Sequence, residues 1–258
     1  MTRTRLWIGV LMLLAGLITE SAAAPRHFVG SVPSGGDPGS EMLRALVEHF
    51  APEQATLVLD ALPDAENSVR HLFLEVTGAT TQEFRVARMR LEPAFVTFSP
   101  ISSWHTSGGL KVEKIVSAKF EAEISEEDLN NFLRNKAFSK DDGKWIDAAV
   151  DLRGGAIEAR ARYVSGMVRA LVELHTELQV REGNQIWFSE YAFSVNGDPQ
   201  SEGLIREALQ KIQPVVDFRN FVFPVKIAFL DVDDEVIRVR TRTSPAPFQG
   251  LTYTYAAR

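Results

Sequence analysis

Side chains able to do chemistry are present in this chain, but few stand at the spacings that chemistry requires. His27, His49, His71, His105 and His175 are scattered, with no two at the i, i+2 or i, i+4 separation that turns a pair of imidazoles toward one metal ion. Asp231, Asp233, Asp234 and Glu235, and likewise Asp141-Asp142-Gly143, could attract calcium. Both clusters fall between extended segments, where Asp and Gly are ordinary turn formers, and the first lacks the spacing and central glycine of a helix-loop-helix calcium site. No glycine loop that cradles phosphate and no Gly-x-Ser-x-Gly nucleophile turn occurs. Cysteine is absent, which removes thiol nucleophiles, disulfides and lipoprotein attachment together. The sequence therefore predicts a non-enzyme with no metal and no cofactor, although a carboxylate pair assembled only by folding would escape such a survey.

Arginine is the remaining candidate. Arg160 and Arg162 alternate in one segment, Arg238, Arg240 and Arg242 in another, and Arg85, Arg88 and Arg90 lie in the N-terminal half. Of these, Arg160, Arg162, Arg238 and Arg240 are candidates for a rim that holds phosphate, because a guanidinium presents two parallel N–H donors to two oxygens. The competing reading is cross-strand charge pairing with the interleaved Glu158, Glu173 and Glu177, and for most of these arginines it is the simpler one.

What positions these residues is a series of strands. Val116, Ala118, Phe120, Ala122 and Ile124 alternate with Ser117, Lys119, Glu121 and Glu123, the period-2 pattern of a half-buried strand. The pattern returns in Ile146, Ala148, Val150 and Leu152, in Ile157, Ala159, Ala161 and Tyr163, and in Val172, Leu174, Thr176, Leu178 and Val180. Trp187, Tyr191, Phe193 and Val195 continue it less regularly. One wet face implies antiparallel pairing. Earlier strands are expected over 56–62, 69–77 and 84–98, the last with a slipped apolar phase that predicts a bulge. A terminal hairpin is expected to carry Val225, Ile227 and Phe229, then Ile237 and Val239.

Three helices are predicted among these strands. Ser40 is expected to cap the first, whose stripe is Met42, Leu43, Leu46, Val47 and Phe50, with Pro52 at its end. Ser125-Glu-Glu-Asp128 has the form of a capping box ahead of Leu129, Phe132 and Leu133. The third is expected to start at Asp198-Pro199 and to carry Leu204, Ile205, Ala208, Leu209 and Ile212 before Pro214.

At 258 residues, 45% hydrophobic and 24% charged, the chain can bury a sizeable core. The expected class is α+β: elongated, curved, mostly antiparallel sheet with a few amphipathic helices packed on its inner apolar face. A formal charge of −6 without a concentrated basic surface argues against nucleic acid. Arg3 and Arg5, the apolar run from Leu6 to Ile18 and the small residues Ser21 to Ala24 have the order of a secretory signal, expected over 1–23 with cleavage after Ala23. The expectation is thus a periplasmic or secreted bacterial protein. A Gly/Pro-rich linker over 24–39, one domain over 40–242 with sub-halves 40–115 and 116–242, and a tail over 243–258 complete the plan.

The order of motifs carries a resemblance. A strand followed by Glu127-Asp-Leu-Asn-Asn-Phe-Leu133, a four-stranded meander, a helix, Ile212-Gln-Pro-Val-Val-Asp217, then Phe221-Val-Phe-Pro-Val225 and a hairpin resembles the LmeA-like phospholipid-binding family of exported bacterial envelope proteins. The likeness runs from about Ser40 to Arg242 and is strongest after Phe120. It implies an elongated α+β fold that binds phospholipid, with peripheral membrane contact as a further expectation, and no headgroup ligand is carried over.

The residues suggest how an acyl chain would be held. Ala118, Ala122, Ala148, Ala159 and Ala161 stand beside Phe120, Tyr163, Trp187 and Phe193, and a row of small side chains between large ones leaves a trough. Leu129, Phe132 and Leu133 would close it from the helix. Alanines equally permit close packing of helix on sheet. Two functions are weighed: a phospholipid holder or carrier in envelope biogenesis, or a non-enzymatic envelope scaffold that binds another protein; a hydrolase ranks third.

Overall fold

A computed structural model describes residues 24–81, 84–106, 109–135, 139–140, 143–201 and 213–258. Two open sheets dominate. The first contains β1 (Arg26–Val29), β2 (Gln54–Leu59), β3 (Ser68–Thr81), β4 (Phe84–Phe98), β5 (Val112–Ser125), β13 (Phe229–Val232), β14 (Val236–Arg240) and β15 (Leu251–Ala256), in the order β1-β15-β2-β3-β4-β5-β14-β13. The second contains β6 (Ser139–Lys140), β7 (Gly143–Arg153), β8 (Ala156–Ser165), β9 (Val168–Arg181), β10 (Gln185–Val195) and β11 (Asp198–Pro199), in the order β11-β10-β9-β8-β7-β6, with β12 (Val216–Asp217) against β10. All pairs are antiparallel except β1 with β15. Two α-helices, α1 (Pro38–Phe50) and α2 (Glu126–Asn135), accompany them among the described residues. None of the described helices is long and apolar enough to cross a membrane.

The expected cap of α1 is corrected. Asp37, not Ser40, accepts the N–H groups of Gly39 (2.9 Å) and Ser40 (3.1 Å), which leaves Pro38 at the first-turn position that proline tolerates. Tyr253 Oη also donates to Asp37 (2.9 Å), and a Cβ on Gly39 would come 2.5 Å from the Tyr253 ring, so this turn fits only glycine. The segments expected as linker and tail are thus partners in structure. β1 pairs with β15, and β15 lies between β1 and β2 rather than trailing from the domain. Their alternation is too short to be read without knowing the partner.

Met42, Leu43, Leu46 and Phe50 of α1 pack into a core with Leu57, Leu59, Leu72, Leu74, Phe98, Trp104 and Phe120. The other wall is the segment after residue 213. Phe223 is completely buried, and Phe218 and Phe221 bring their rings to 5.5 and 5.4 Å from Phe120 in edge-on or tilted contact. The expected start of the third helix is strand instead: Asp198 and Pro199 form β11 against Val195 and Ser194, while Leu204, Ile205, Ala208, Leu209 and Ile212 lie outside the described residues. The terminal hairpin is β13 with β14, so Val225 and Ile227 precede it in irregular chain, Ile227 buried.

Helix α2 forms where the capping box predicts: Ser125 Oγ accepts the Asp128 N–H (3.0 Å) and donates to its carboxylate (2.7 Å). Its next residues cover a strand edge. Asn130 donates to the Val150 carbonyl and accepts the Val150 N–H, both at 2.8 Å, while Glu126 accepts the Leu152 N–H (2.8 Å). Two side chains of a helix thus stand in for a neighbouring strand along β7, whose backbone would otherwise be open to unwanted pairing.

On the polar face of the first sheet, register turns the alternating arginines into a ladder. Arg88, Glu123 and Arg238 lie opposite one another on β4, β5 and β14, as do Arg90, Glu121 and Arg240. Arg88 and Arg238 reach one Glu123 oxygen at 2.8 and 3.0 Å, and Arg90 pairs with Glu121. Burial raises the Glu123 pKa, but hydrogen bonds from the two arginines outweigh it and leave the carboxyl below its ordinary 4.5. Glu92, held by Lys119, the Ala246 N–H and His71, is lowered in the same way against its own burial.

Two predictions follow from these contacts. Asn130→Ala leaves both Val150 backbone groups without their partner and should cost about 1–3 kcal/mol in urea unfolding, whereas Asn131→Ala should change little. A carboxyl with a depressed folded pKa contributes stability that is present above its ordinary pKa and lost as pH falls through the folded value. The melting midpoint should therefore hold from neutrality to about pH 5 and decline below it, and Glu123→Gln should lower the neutral midpoint while shrinking the acid decline.

Candidate functional site

The second sheet has one polar and one apolar face, and register assigns each side chain. Across β8 and β9 the apolar rows are Ile157 with Thr176, Ala159 with Leu174, Ala161 with Val172, Tyr163 with Ala170, and Ser165 with Val168. β7 adds Leu152, Val150 and Trp145 opposite Ile157, Ala159 and Tyr163. β10 adds Phe188, Phe193 and Val195 opposite Leu178, Leu174 and Val172. The opposite face carries Glu158, Arg160 and Arg162 on β8 beside His175, Glu173 and Leu171 on β9.

Burial falls steadily along this face. At the end nearest the first sheet, Leu152 and Ile157 are buried with Ile237, and Leu129 of α2, Val150 and Leu178 pack against them. Thr176 is fully buried, its hydroxyl donating to the Ser189 carbonyl (2.9 Å) beside a bulge in β10. Further out, Ala148, Ala159, Ala161, Tyr163, Ala170, Val172, Leu174 and Phe193 are only half-buried, as are Phe132 and Leu133 on α2. The small residues Ala159, Ala161 and Ala170 run between the larger Leu174, Phe193, Trp145 and Tyr163, and the last two rings lie 5.2 Å apart.

The structure divides the trough expected from the sequence. Ala159, Ala161, Tyr163 and Phe193 share this face, α2 brings Leu129 against its inner end, and Ala148 falls within the β7 irregularity between Ile146 and Ala149. Ala118, Phe120 and Ala122 belong instead to the first sheet, where Phe120 is 1% exposed and covered by Phe218 and Phe221. That part of the expected trough is filled by the chain's own rings. Trp187 is a second correction: it pairs with Gln179 on the polar face, under the Arg181 guanidinium at 4.5 Å, with its indole N–H donated to Gln185 (3.1 Å). Ile146 likewise turns outward beside Arg162.

The outward turns of Trp187 and Ile146 have one kind of cause. An extra residue in β7 between Ile146 and Ala149, with Asp147 at φ 53, and another in β10 between Ser189 and Ala192, with Glu190 at φ 47, each reverse the sidedness of the strand beyond them. Trp145 and Phe188, absent from the sequence-derived set, take the inward positions that Ile146 and Trp187 vacate. The visible signal was the irregular spacing from Trp187 to Tyr191; nothing comparable marks Asp147.

The arginines proposed for phosphate are not gathered on this face. Arg160 stands opposite Glu173 on the polar side, and Arg162 reaches Asp147 at 3.2 Å. Arg238 is shared between Glu123 and Asp233, and Arg240 lies over the Phe229 ring at 4.2 Å. The histidines are also engaged singly: His71 stacks on Phe248 (4.0 Å) beside Glu92, and His105 bridges Glu41 and Glu48. Asp233 accepts the Glu235 and Val236 N–H groups, as a turn residue does. Among the described residues no three His, Cys, Asp or Glu side chains cluster to hold a metal ion.

A family model for LmeA-like phospholipid-binding proteins matches residues 65–242. No curated protein and no solved structure matches the chain. The matched span runs from the turn before β3 to just past β14 and contains α2, the whole second sheet and the aromatic segment that joins the two sheets. With that span exceeding half its length, the chain belongs to the LmeA-like phospholipid-binding family.

Proposed function

We propose that this protein holds a phospholipid by its acyl chains against the apolar face of the second sheet, as a non-catalytic holder or carrier. One observation carries this reading: the half-buried stripe of Ala159, Ala161 and Ala170 between Leu174, Phe193 and the Trp145–Tyr163 pair. Each methylene laid there gains about 0.8 kcal/mol, so one long chain supplies useful affinity without a fixed headgroup contact. Membership in a phospholipid-binding family supports the ligand class. The signal-like N-terminus supports action in the periplasm or outside the cell, and the reading extends to a part in building the envelope with peripheral contact to its membrane.

A scaffold function draws on a different place. Phe95 and Val116 are exposed side by side on neighbouring strands β4 and β5, flanked by the Ala94–Ser117 and Val96–Ile115 pairs, and form an apolar spot suited to a protein partner. A photocrosslinker at Val116 that traps one protein in cells, with no lipid on the purified chain, would favour this function over lipid holding.

Native mass spectrometry of the purified protein should show bound phospholipid. Ala161→Trp, which fills the stripe from its centre, should reduce that lipid about tenfold with the melting midpoint little changed. Repeated absence of lipid from the wild type, together with no uptake of added phospholipid, would end the proposal.

A further inference from the structure

The second sheet ends, away from the first, in a hairpin whose composition the fold does not require. The β8–β9 turn is Gly166-Met167 between the paired Ser165 and Val168, with Gly166 at φ 57 in the first turn position, where a two-residue hairpin calls for glycine. The second position needs no apolar side chain, yet Met167 is 101% exposed and Val168 60%. Two more exposed apolar groups stand at the same end on the other face: Ile146 and Leu171, both registered on Arg162. The adjoining row is Lys144, Val164 and Arg169, with both cations exposed. Behind the tip on the apolar face lies the Trp145–Tyr163 pair. The acidic groups described at this end are Asp147, in ion pair with Arg162, and Asp198, just past the Asn196 that bonds Leu171; Asp141 and Asp142 lie outside the described residues.

Isolated exposed apolar side chains are ordinary, but here four share one strand end with three cations and two amphipathic rings. That combination fits the boundary of a bilayer. Met and Val enter the acyl region, Trp and Tyr suit the headgroup level, and Lys and Arg extend their stems along apolar surface with their charges on phosphate. A protein partner would be met more readily by a flat patch than by a two-residue turn. Val168 also continues the face that carries Ala161 and Val172, so a membrane at this tip lies in line with the stripe.

We infer that the 165–168 hairpin, with Lys144 and Arg169 beside it, is a docking tip for the surface of a phospholipid bilayer, through which acyl chains reach the apolar face. This rests on the lipid-holding reading for its purpose, but its test does not. Flotation of the full chain with vesicles of phosphatidylcholine and phosphatidylglycerol should show binding, and Met167→Ser/Val168→Ser should weaken it about tenfold. The variant should still bind a short-chain phosphatidylcholine presented as monomers. Wild type that does not float, a double variant that floats equally, or one that loses monomer binding in parallel would each overturn the tip. Failure of the wild type to bind monomers while the tip still directs flotation would instead count against the holding face alone and leave the docking tip standing.

Discussion

The seating of the second sheet on the main core depends on two phenylalanines laid over a third, Phe218 and Phe221 over Phe120. The segment leaves the second sheet just after β12; Phe218 and Phe221 cover Phe120, and Phe223 packs on Phe221 at 6.3 Å and on Phe98 at 6.1 Å. Edge-on ring pairs of this kind are worth about 0.5–1.5 kcal/mol each beyond the area they bury. The segment is held from both sides: Phe218 N–H donates to Asn184 and Ile227 N–H to Gly183, at 2.8 and 2.7 Å, in the turn between β9 and β10. The hairpin that begins the apolar face is thereby tied to the core that α1 closes. Without this plug, the second sheet would rest, among the described residues, on α2, the small cluster around Ile237 and the Gly154 N–H donated to Asp234 (3.2 Å).

Helix α2 supplies that other footing through neighbouring residues with unlike duties. Asp128, buried, caps the helix and binds Arg85, which also reaches Glu53. Leu129 packs against Leu152 and Ile157, and Asn130 bonds the backbone of β7. A short Asp-Leu-Asn run therefore joins the two sheets by an ion pair, an apolar contact and a pseudo-strand at once. Motifs of this sort carry family likeness without marking a ligand contact, and the face proposed for the ligand consists of alanines and aromatic rings that many sequences could supply.

How much of this was legible follows from the range of the forces involved. The strand segments, the capping box at Ser125 and the family were readable because period-2 patterning, side-chain capping and motif order are local properties of the chain. Sidedness beyond a bulge was not: a single added residue at Asp147 or Glu190 exchanges faces, and so Trp187 moved out and Trp145 moved in. Nor was the filling of the first sheet, since Phe120 and Phe221 stand about a hundred residues apart and nothing in either segment names the other. The arginines were readable as cross-strand partners from their alternation with glutamates, and the register made Glu123 the hub between Arg88 and Arg238.

The place of β15 has a temporal meaning. Because Leu251–Ala256 sits between β1 and β2, and Tyr253 supports the cap of α1, the first sheet cannot be completed while residues 251–256 are still inside the ribosome. Contacts of such long range form late. Until synthesis has passed residue 256, β1 has no partner and the free edge of β2 stays uncovered, so the last strand made is the one that joins the first to the sheet.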